Sequence, residues 1–392
     1  MSRRFFRMFV GASILISLLT VGGWYFRQPL LARVGINIPR GAGGRADLIL
    51  PVGFRANVFA EGLMAPRFMA LGPDGLVFVA DRALDQVLAL PDRDGDGQAD
   101  EVIIVARGLY VPTSLAFRND ELYVGETAGV TRLTLHPRHR HAKEETPVIT
   151  DLPPVGRHYT RTVLFGPDGR LYVSIGSSCN VCRESDPHRA AVWVYPPDGG
   201  SGEPFTVGLR NAVGLAVNPW TQTIWATNNG RDFMGDDRPP DTVYELAAGA
   251  DAGWPRCHAG TIPDPDFGRQ PDACQGVLQP VLTLPAHVAP LGLAFYPRDV
   301  SGPAAFPADM QGDLFIALHG SWNRSTPVGY KVVRVPLDDS GRPEGPPEDF
   351  AIGLLQPDGR VLGRPVGLLV LPDGSMLVSD DRAGFIYRIS RE

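Results

Sequence analysis

Val163-Leu-Phe-Gly-Pro-Asp-Gly-Arg-Leu-Tyr-Val173 is the stretch of the chain that decides the fold. Its Pro-Asp-Gly predicts a tight turn, because proline presets φ, aspartate can bond its own backbone and glycine accepts positive φ. Apolar residues alternate with polar ones on either side of the turn, which is typical of half-buried strands. The stretch therefore predicts a β-hairpin.

The same pattern occurs six times along the 392 residues of the chain. The other copies begin at Phe68, Ser114, Gly214, Gly292 and Gly367, and an insertion splits the fifth of the six. A hairpin cannot bury its apolar face alone, so repeated units of this kind must stack on one another. In a ring of four-stranded blades, every unit buries its apolar face against its neighbours. We therefore expect an all-β chain in which residues 48–392 form one six-bladed β-propeller that carries the catalytic site.

A further strand-like segment, Leu50-Pro-Val-Gly-Phe-Arg-Ala-Asn-Val-Phe-Ala60, precedes the first full copy. Because a ring of blades has to close, we expect the first and last strands of the chain to share one blade.

The amino terminus predicts a segment for export or membrane attachment. Residues 8–26 are uncharged and mostly apolar, which is long enough to cross a bilayer as a helix, and Arg3, Arg4 and Arg7 precede them. Arginines in a short flanking segment stay in the cytoplasm, so the rest of the chain is expected outside it. We expect residues 1–26 to be a transmembrane signal anchor or a cleaved signal peptide, and residues 27–47 to be a flexible tether. The predicted location is periplasmic or otherwise extracytoplasmic, with attachment to the inner membrane through residues 8–26 if the anchor is retained.

The charge of the chain argues against a nucleic-acid partner. Its formal net charge is −6 at pH 7, and its basic and acidic residues are interspersed. Binding to phosphates depends on clustered lysine and arginine. We therefore expect no nucleic acid among its partners.

The four cysteines fall into two local pairs, Cys179 with Cys182 and Cys257 with Cys274. An oxidising compartment favours disulfides, and we expect both pairs to be bonded. Covalent haem attachment would need a histidine after the second cysteine of the C-x-x-C, where Arg183 stands.

A run of acidic residues lies between two predicted strands, at Asp92-Arg-Asp-Gly-Asp-Gly-Gln-Ala-Asp-Glu101. Carboxylates at alternate positions of a tight turn can bind calcium, although Ile103 occupies the position at which an EF-hand has its glutamate. The run therefore favours either a structural calcium loop or a solvated hairpin turn.

Polar, glycine-rich loops from separate blades are expected to meet at one end of the central channel. One histidine offers a base, several arginines offer donors to carboxylates or carbonyls, and Asn-Gly backbone can direct carbonyl oxygens at a hard metal ion. Such a set suits an anionic cofactor. The loops are His158-Tyr-Thr-Arg161, Gly208-Leu-Arg-Asn211, Asn228-Asn-Gly-Arg-Asp232, His319-Gly-Ser-Trp-Asn-Arg324 and Gly363-Arg-Pro365.

Residues 48–390 resemble the soluble pyrroloquinoline quinone (PQQ) sugar dehydrogenases, and among these the sorbosone dehydrogenase-like branch. The resemblance rests on motifs that include Phe165-Gly-Pro-Asp-Gly-Arg-Leu-Tyr-Val-Ser-Ile-Gly-Ser-Ser-Cys-Asn-Val-Cys182, Gly208-Leu-Arg-Asn-Ala-Val-Gly-Leu-Ala216, Ala252-Gly-Trp-Pro255 and His319-Gly-Ser-Trp-Asn-Arg324.

The resemblance implies a role for each residue that matches a motif of the family. His158 would be the catalytic base that takes the proton of the sugar C1 hydroxyl while hydride passes to the quinone, and Arg210 would polarise the quinone carbonyl. Backbone carbonyls of Gly230 and Arg231 would bind the Ca²⁺ that accompanies the cofactor. The expected cofactor-binding residues are Arg161, Arg210, Asn211, Asn229, Arg324 and Arg364.

The expected function is quinone-dependent oxidation of an aldose or a sorbosone-like sugar aldehyde, with electrons passed to a periplasmic or membrane acceptor. Two alternatives stay open at this point. The chain could be a calcium-dependent lactonase, or a noncatalytic propeller that binds a carbohydrate or a protein.

Overall fold

The computed structural model describes residues 43–136 and 141–392. This part of the chain forms 27 β-strands and two short 3₁₀ helices, Arg82–Leu84 and Ala308–Met310. The predicted anchor or signal segment, residues 1–26, lies outside the described residues. Within the described part, no helix has the length and apolar character needed to cross a membrane.

Six sheets of four or five strands make up the fold, and they are numbered here as blades 1 to 6 in the chain order of their innermost strands. Blade 1 contains β2 (Pro66–Leu71), β3 (Val77–Asp81), β4 (Gln86–Leu90) and β5 (Ile103–Arg107). Blade 2 contains β6 (Ser114–Arg118), β7 (Glu121–Glu126), β8 (Gly129–Leu135) and β9 (Ala142–Ile149). Blade 3 contains β10 (Arg161–Phe165), β11 (Leu171–Ile175), β12 (Ala191–Tyr195) and β13 (Glu203–Val207), with β17 (Ala250–Asp251) added in parallel at its edge.

The remaining blades carry the insertions and the closure of the ring. Blade 4 contains β14 (Ala212–Asn218), β15 (Thr223–Asn228), β16 (Asp241–Glu245) and β20 (Leu282–Leu284), and its insertion holds a ribbon of β18 (Cys257–His258) and β19 (Ile262–Pro263). Blade 5 contains β21 (Pro290–Phe295), β22 (Leu314–Leu318), β23 (Lys331–Val335) and β24 (Glu348–Ala351). Blade 6 contains β25 (Pro365–Val370), β26 (Met376–Asp380), β27 (Phe385–Arg391) and β1 (Phe54–Ala60).

The six-bladed propeller predicted from the repeats is confirmed. Each predicted copy contributes the two innermost strands of one blade, as β10 and β11 do around the turn at Gly169. In that turn the amide of Gly169, at φ +74°, donates to the carbonyl of Gly166 at 2.9 Å. Positive φ is the conformation for which glycine carries no penalty.

The predicted closure of the ring is also confirmed. Strand β1, from the beginning of the propeller, pairs antiparallel with β27 at its end, so that Phe54 lies opposite Arg391 and Val58 opposite Tyr387. Residues 43–47, part of the segment for which a tether was predicted, contact this same blade. The amide of Gly44 donates to the carbonyl of Leu362 at 2.9 Å, and that of Ala46 donates to the hydroxyl of Tyr387 at 3.0 Å.

Innermost strands of neighbouring blades approach closely around the axis. A Cβ at Gly214 would lie 2.1 Å from the carbonyl oxygen of Leu291, and one at Gly292 would lie 2.4 Å from that of Val366. Glycine is therefore required where blade 4 meets blade 5 and blade 5 meets blade 6. At the junction of blades 6 and 1, the hydroxyl of Ser379 donates to the carbonyl of Arg67 at 2.6 Å.

Apolar layers between the blades form the core. Every residue of the second strands β3, β11, β22 and β26 is buried, because each of these strands is covered by a blade on both faces. Between blades 5 and 6 the layer is aromatic: Phe306 lies edge-on to Phe54 at 4.9 Å and stacks on Tyr296 at 4.5 Å. These layers hold the ends of the inner strands in place around the axis.

Candidate active site

The central cavity opens at the end of the propeller where each inner strand begins and each second strand ends. Its volume is about 730 Å³, which is in the range of sites for small molecules. Among the described residues, every blade except blade 2 contributes to its wall. The cavity is therefore where the predicted loops from separate blades do meet.

The repeat itself brings these side chains together. Asn211, Ala289 and Arg364 directly precede the inner strands β14, β21 and β25, and all three line the cavity. The residues that directly follow the second strands of blades 1, 4, 5 and 6 line it as well; these are Arg82, Asn229, His319 and Asp381. These two positions therefore supply seven of the 22 residues that line the cavity.

Positive charge dominates the cavity. Six arginines and three aspartates line it, which leaves an excess of three positive charges when the carboxylates are ionised. The arginines are Arg67, Arg82, Arg157, Arg210, Arg364 and Arg382, and the aspartates are Asp232, Asp241 and Asp381. A ligand with several carboxylates would complement such a wall.

The hydrogen bonds of His158 determine which of its ring nitrogens carries the proton. Nδ1 lies 2.9 Å from both the carbonyl oxygen and the Oγ of Ser177. The carbonyl can only accept, and Oγ donates its own hydrogen to the carbonyl of Cys179 at 2.7 Å. Nδ1 therefore carries the proton, and the lone pair of the neutral ring lies on Nε2, which makes no hydrogen bond within the described part of the chain.

Burial and neighbouring arginines keep His158 neutral. Burial is the largest cause that lowers its pKa to about 3, and the charge of Arg210 adds to it, followed by Arg189 and Arg157. A polyanionic ligand in the cavity would offset these charges and raise the pKa of His158. The imidazole is therefore a proton acceptor whose strength depends on what the cavity holds.

Two buried arginines hold the loop that carries His158. Arg161 donates to the carbonyls of His158 at 3.2 Å, Thr160 at 2.8 Å and Pro153 at 2.6 Å. Arg189 donates to the carbonyls of His158 at 3.2 Å and Pro153 at 2.9 Å. Arg161 was expected to bind the cofactor, but its guanidinium is fully buried against backbone and does not line the cavity. Its position makes it a support for the loop that carries His158.

Arg210 lies in the wall with a fixed orientation. Its Nη2 forms an ion pair with Oδ2 of Asp232 at 2.6 Å, and the side chains are 5% and 12% exposed. Its Nε and Nη2 also donate to the backbone oxygen and Oδ1 of Asn180, each at 2.9 Å. Beside it, Oδ1 of Asn211 is buried without a hydrogen-bond partner. An unsatisfied buried oxygen in the wall suits a cation or a donor on a ligand.

The wall formed by blades 5, 6 and 1 contains a second histidine. Nε2 of His319 lies 2.8 Å from Oδ1 of Asp381, and Oδ2 of Asp381 accepts from Arg67 at 2.7 Å. Arg364 donates to the backbone oxygens of His319 at 3.0 Å and Gly320 at 2.8 Å. Burial, and next the charge of Arg364, lower the pKa of His319 to about 4. The sequence predicted Arg364 in this site but missed Arg67, Asp381 and the role of His319.

The predicted calcium region is only partly in the wall. Asn229 and Gly230 line the cavity, and the amide of Gly230 donates to Oδ1 of Asp241 at 2.7 Å. Asp241 was missed by the sequence reasoning, although it is the first residue of β16 and brings a carboxylate to the site. Burial raises its pKa, and the hydrogen bonds from the amides of Gly230 and Ala289 oppose that rise. Hard cations such as Ca²⁺ prefer oxygen ligands of this kind.

The side chains of two expected site residues point elsewhere. Arg324 donates to the backbone oxygen of Asp236 at 2.6 Å and to Oδ1 of Asp237 at 2.9 Å, which joins two loops at the rim. The guanidinium of Arg231 pairs with Asp264 and Asp266 of the blade 4 insertion. Neither residue lines the cavity, because local carboxylates and carbonyls bind their guanidinium groups.

The acidic hairpin between β4 and β5 lies at the opposite end of the propeller from the cavity. Carboxylate oxygens of Asp92, Asp94 and Asp96 lie within 4.8 Å of one another. Asp92 also accepts from the amides of Gly95 at 2.9 Å and Gly97 at 3.0 Å, which is equally typical of a turn without a metal.

Both predicted disulfides are present, and Cys179–Cys182 is close to the site. Cys179 bonds to Cys182, and Cys257 bonds to Cys274 within the blade 4 insertion. The first of these closes a loop that contains Asn180, the partner of Arg210.

Comparison with known proteins finds relatives in sequence and solved structures with a similar fold. An uncharacterized protein of Borreliella burgdorferi is 28% identical over 361 residues, which cover 88% of this chain and 92% of that protein. The pyrroloquinoline quinone-dependent pyranose dehydrogenase of Coprinopsis cinerea is 28% identical over 302 residues, which cover 60% of this chain and 40% of that enzyme. The holo form of its PQQ domain superposes with a TM-score of 0.76 at 23% identity, over 91% of this chain and 100% of that domain.

A calcium structure of the Trichoderma reesei carbohydrate-active enzyme of family AA12 shares the fold. It superposes with a TM-score of 0.74 at 22% identity, over 91% of this chain and 99% of that one. The family model described as TrAA12-like matches residues 48–240 and 259–392, which is most of the chain and nearly all of the propeller. The chain therefore belongs to the TrAA12-like family.

Proposed function

We propose that this chain is a quinoprotein dehydrogenase that uses PQQ and Ca²⁺ to oxidise an aldose or a sugar aldehyde. The observation that carries the proposal is a neutral imidazole with its lone pair on Nε2, set in the wall of a cavity with an excess of three arginines. The names of the relatives, which include a PQQ-dependent pyranose dehydrogenase, support the same chemistry.

The residues of the cavity fit an anionic quinone. PQQ carries three carboxylates, and the excess of arginine matches that charge. Arg210 and Asn211 would face its carbonyl groups on one side, and Arg364, Arg67 and Arg382 would hold carboxylates on the other. When bound, the quinone would supply the acceptor for the hydride of the sugar, which carries both electrons of the oxidation.

His158 acts as the general base. Its Nε2 accepts the proton of the sugar C1 hydroxyl as the C–H bond at C1 breaks, and the sugar leaves as the lactone. The carbonyl and Oγ of Ser177 hold the ring in the required tautomer throughout. Arg161 and Arg189 hold the loop, so that the base does not move as it takes up charge.

Calcium would be bound beside Gly230. The proposed ligands are the backbone carbonyls of Asn229 and Gly230 and the carboxylate of Asp241, which line the cavity, together with the adjacent backbone carbonyl of Arg231, whose side chain points away from it. The unpartnered oxygen of Asn211 lies in the same wall. Oxygen ligands with one or two carboxylates suit this ion.

The substrate is proposed to be a pyranose or a sorbosone-like aldehyde. We also propose that a periplasmic or membrane-bound acceptor receives the electrons, and that residues 8–26 hold the propeller at the outer face of the inner membrane.

Reconstitution tests the proposal. Purified protein that is mixed with PQQ and Ca²⁺ should develop the absorbance of bound quinone and should reduce an artificial dye when an aldose is added. Failure of the quinone to bind would refute the proposal. Hydrolysis of a sugar lactone by quinone-free protein with Ca²⁺ would instead identify a lactonase, which Asp232, Asp241 and Asn211 in the same wall would serve.

A further inference from the structure

The loop closed by the Cys179–Cys182 disulfide does more than join two neighbouring cysteines, because it accepts hydrogen bonds from Arg210. Within it, Oδ1 of Asn180 accepts from Nη2 of Arg210 at 2.9 Å and from the amide of Asp232 at 2.8 Å. The backbone oxygen of Asn180 accepts from Nε of Arg210 at 2.9 Å, and its Nδ2 donates to the backbone oxygen of Asp232 at 3.1 Å. One side chain therefore joins both members of the buried ion pair in the cavity wall.

Arg210 depends on these contacts because its guanidinium is almost fully buried. Besides Asn180, its partners are the carboxylate of Asp232 at 2.6 Å and the carbonyl of Asn229 at 3.4 Å. A planar guanidinium is oriented by acceptors on more than one of its edges. Without Asn180, only the ion pair with Asp232 and the longer contact with the carbonyl of Asn229 would hold it, and the group would be less firmly oriented.

The disulfide holds Asn180 at this position. It links the residues that flank Asn180 and Val181, and both cysteines are only partly buried, so that a small dithiol can reach them. The other disulfide, Cys257–Cys274, makes no contact of this kind with Arg210 in the described part of the chain.

We propose that Asn180 is a positioning residue for Arg210 and that the Cys179–Cys182 disulfide keeps it in place, so that reduction of this bond by a dithiol lowers turnover reversibly. In the reduction two thiols form in the loop, and the dithiol gives up two electrons and two protons and becomes a disulfide. The effect on turnover rests on the proposed function; the effect on Arg210 does not.

In the protein without cofactor, the pKa of His158 is a measure of the position of the Arg210 charge. Among the neighbouring charges that lower the pKa of His158, that of Arg210 has the largest effect, with smaller effects from Arg189 and Arg157. Loss of its fixed position should raise that pKa, and the neutral form of the ring should then give way to the protonated form at a higher pH. A loop with a purely structural role would leave the pKa of His158 unchanged.

The experiment measures the pKa of His158 by NMR in cofactor-free protein. Asn180→Ala and the double variant Cys179→Ser/Cys182→Ser should both raise it by about one unit. Val181→Ala, in the same loop but outside the hydrogen-bond network, and Cys257→Ser/Cys274→Ser should leave it as in wild type. An unchanged pKa in both of the first two proteins overturns the positioning role. If a variant does not fold, wild type treated with a dithiol provides the same comparison.

Turnover gives the second readout. Dithiol treatment of wild type should lower kcat/KM by about 10-fold, and reoxidation should restore it, while Asn180→Ala should already be low and insensitive to the dithiol. Equal sensitivity of the Cys179→Ser/Cys182→Ser variant to the dithiol would assign the effect to the other disulfide and overturn the proposal. If wild type binds no quinone, the proposed function fails, and the NMR result still decides the role of Asn180.

Discussion

Replacement of His158 by glutamine separates the chemical role of this residue from its structural role. The amide of a glutamine can still donate to the carbonyl of Ser177, which the Nδ1 of His158 approaches to 2.9 Å, but it offers no basic nitrogen to the cavity. The wall and its arginines are otherwise unchanged. We therefore expect His158→Gln to bind quinone and sugar and to fail in proton abstraction.

The structure sets the size of the expected effect. General-base catalysis contributes about 10²- to 10⁴-fold, which is about 3 to 5 kcal/mol of activation free energy. The imidazole also makes one hydrogen-bonded contact with Ser177, and its partial loss costs about 1 kcal/mol or less in binding or stability. The catalytic effect therefore exceeds the structural one by a margin that an assay can resolve.

The assay measures kcat by dye reduction and the Kd of PQQ by absorbance titration, both in the presence of Ca²⁺. We expect kcat to fall by about 10²-fold or more, with Kd within about 5-fold of wild type. His188→Gln is the matched control, because His188 pairs with Asp186 away from the cavity. A kcat within 10-fold of wild type, or a loss of quinone binding as large as the loss of rate, would refute the assignment of His158 as base.

Three further predictions concern the cavity wall formed by blades 5, 6 and 1 and the contacts between neighbouring blades. Asp381→Asn leaves the guanidinium of Arg67, whose side chain is 6% exposed, without its charged partner, and we expect urea unfolding to show a loss of about 3 kcal/mol; wild-type stability would mean that the pair is not formed. Gly292→Ala places a methyl group 2.4 Å from a backbone carbonyl of blade 6, and we expect it to cost more than about 2 kcal/mol, whereas Gly345→Ala, with nothing within 4 Å, should melt like wild type. His319, with its pKa lowered to about 4, remains neutral in the folded protein while the unfolded chain takes up a proton below about pH 6.5, so this residue makes wild type less stable as the pH falls. His319→Gln lacks that loss, and its stability relative to wild type should rise by about 2 kcal/mol between about pH 6.5 and 5; no pH dependence of the difference would contradict the lowered pKa.

The architecture could be predicted from the sequence because each blade repeats one local signal. The turn at Pro167-Asp168-Gly169 and its counterparts are formed by neighbouring residues, and the ring follows from the number of copies. The blade shared by the first and last strands could be predicted as well, because the strand-like segment of residues 50–60 precedes the first copy of the repeat and belongs to none of the six. These inferences need no knowledge of distant contacts.

The site could be predicted only to the level of its loops. His158, Arg210, Asn211, Asn229, Gly230 and Arg364 do line one cavity. Arg161 and Arg324 do not, because backbone carbonyls of one loop and Asp237 of another bind their guanidinium groups, and such partners are set by tertiary packing. Arg67 and Asp381 were missed for the same reason, although Asp381 follows the second strand of its blade, as Asn229 does.

The pairing of β1 with β27 imposes an order of events on biosynthesis. Residues 54–60 leave the ribosome more than 300 residues before the segment that completes their blade, so they must wait as an unpaired edge until the last residues are made. The cavity draws on both ends of the ring, from Arg67 of blade 1 to Arg382 of blade 6, so its wall is incomplete in a nascent chain that lacks blade 6. Loss of β27 as a whole would leave β1 without its partner and the ring of blades open.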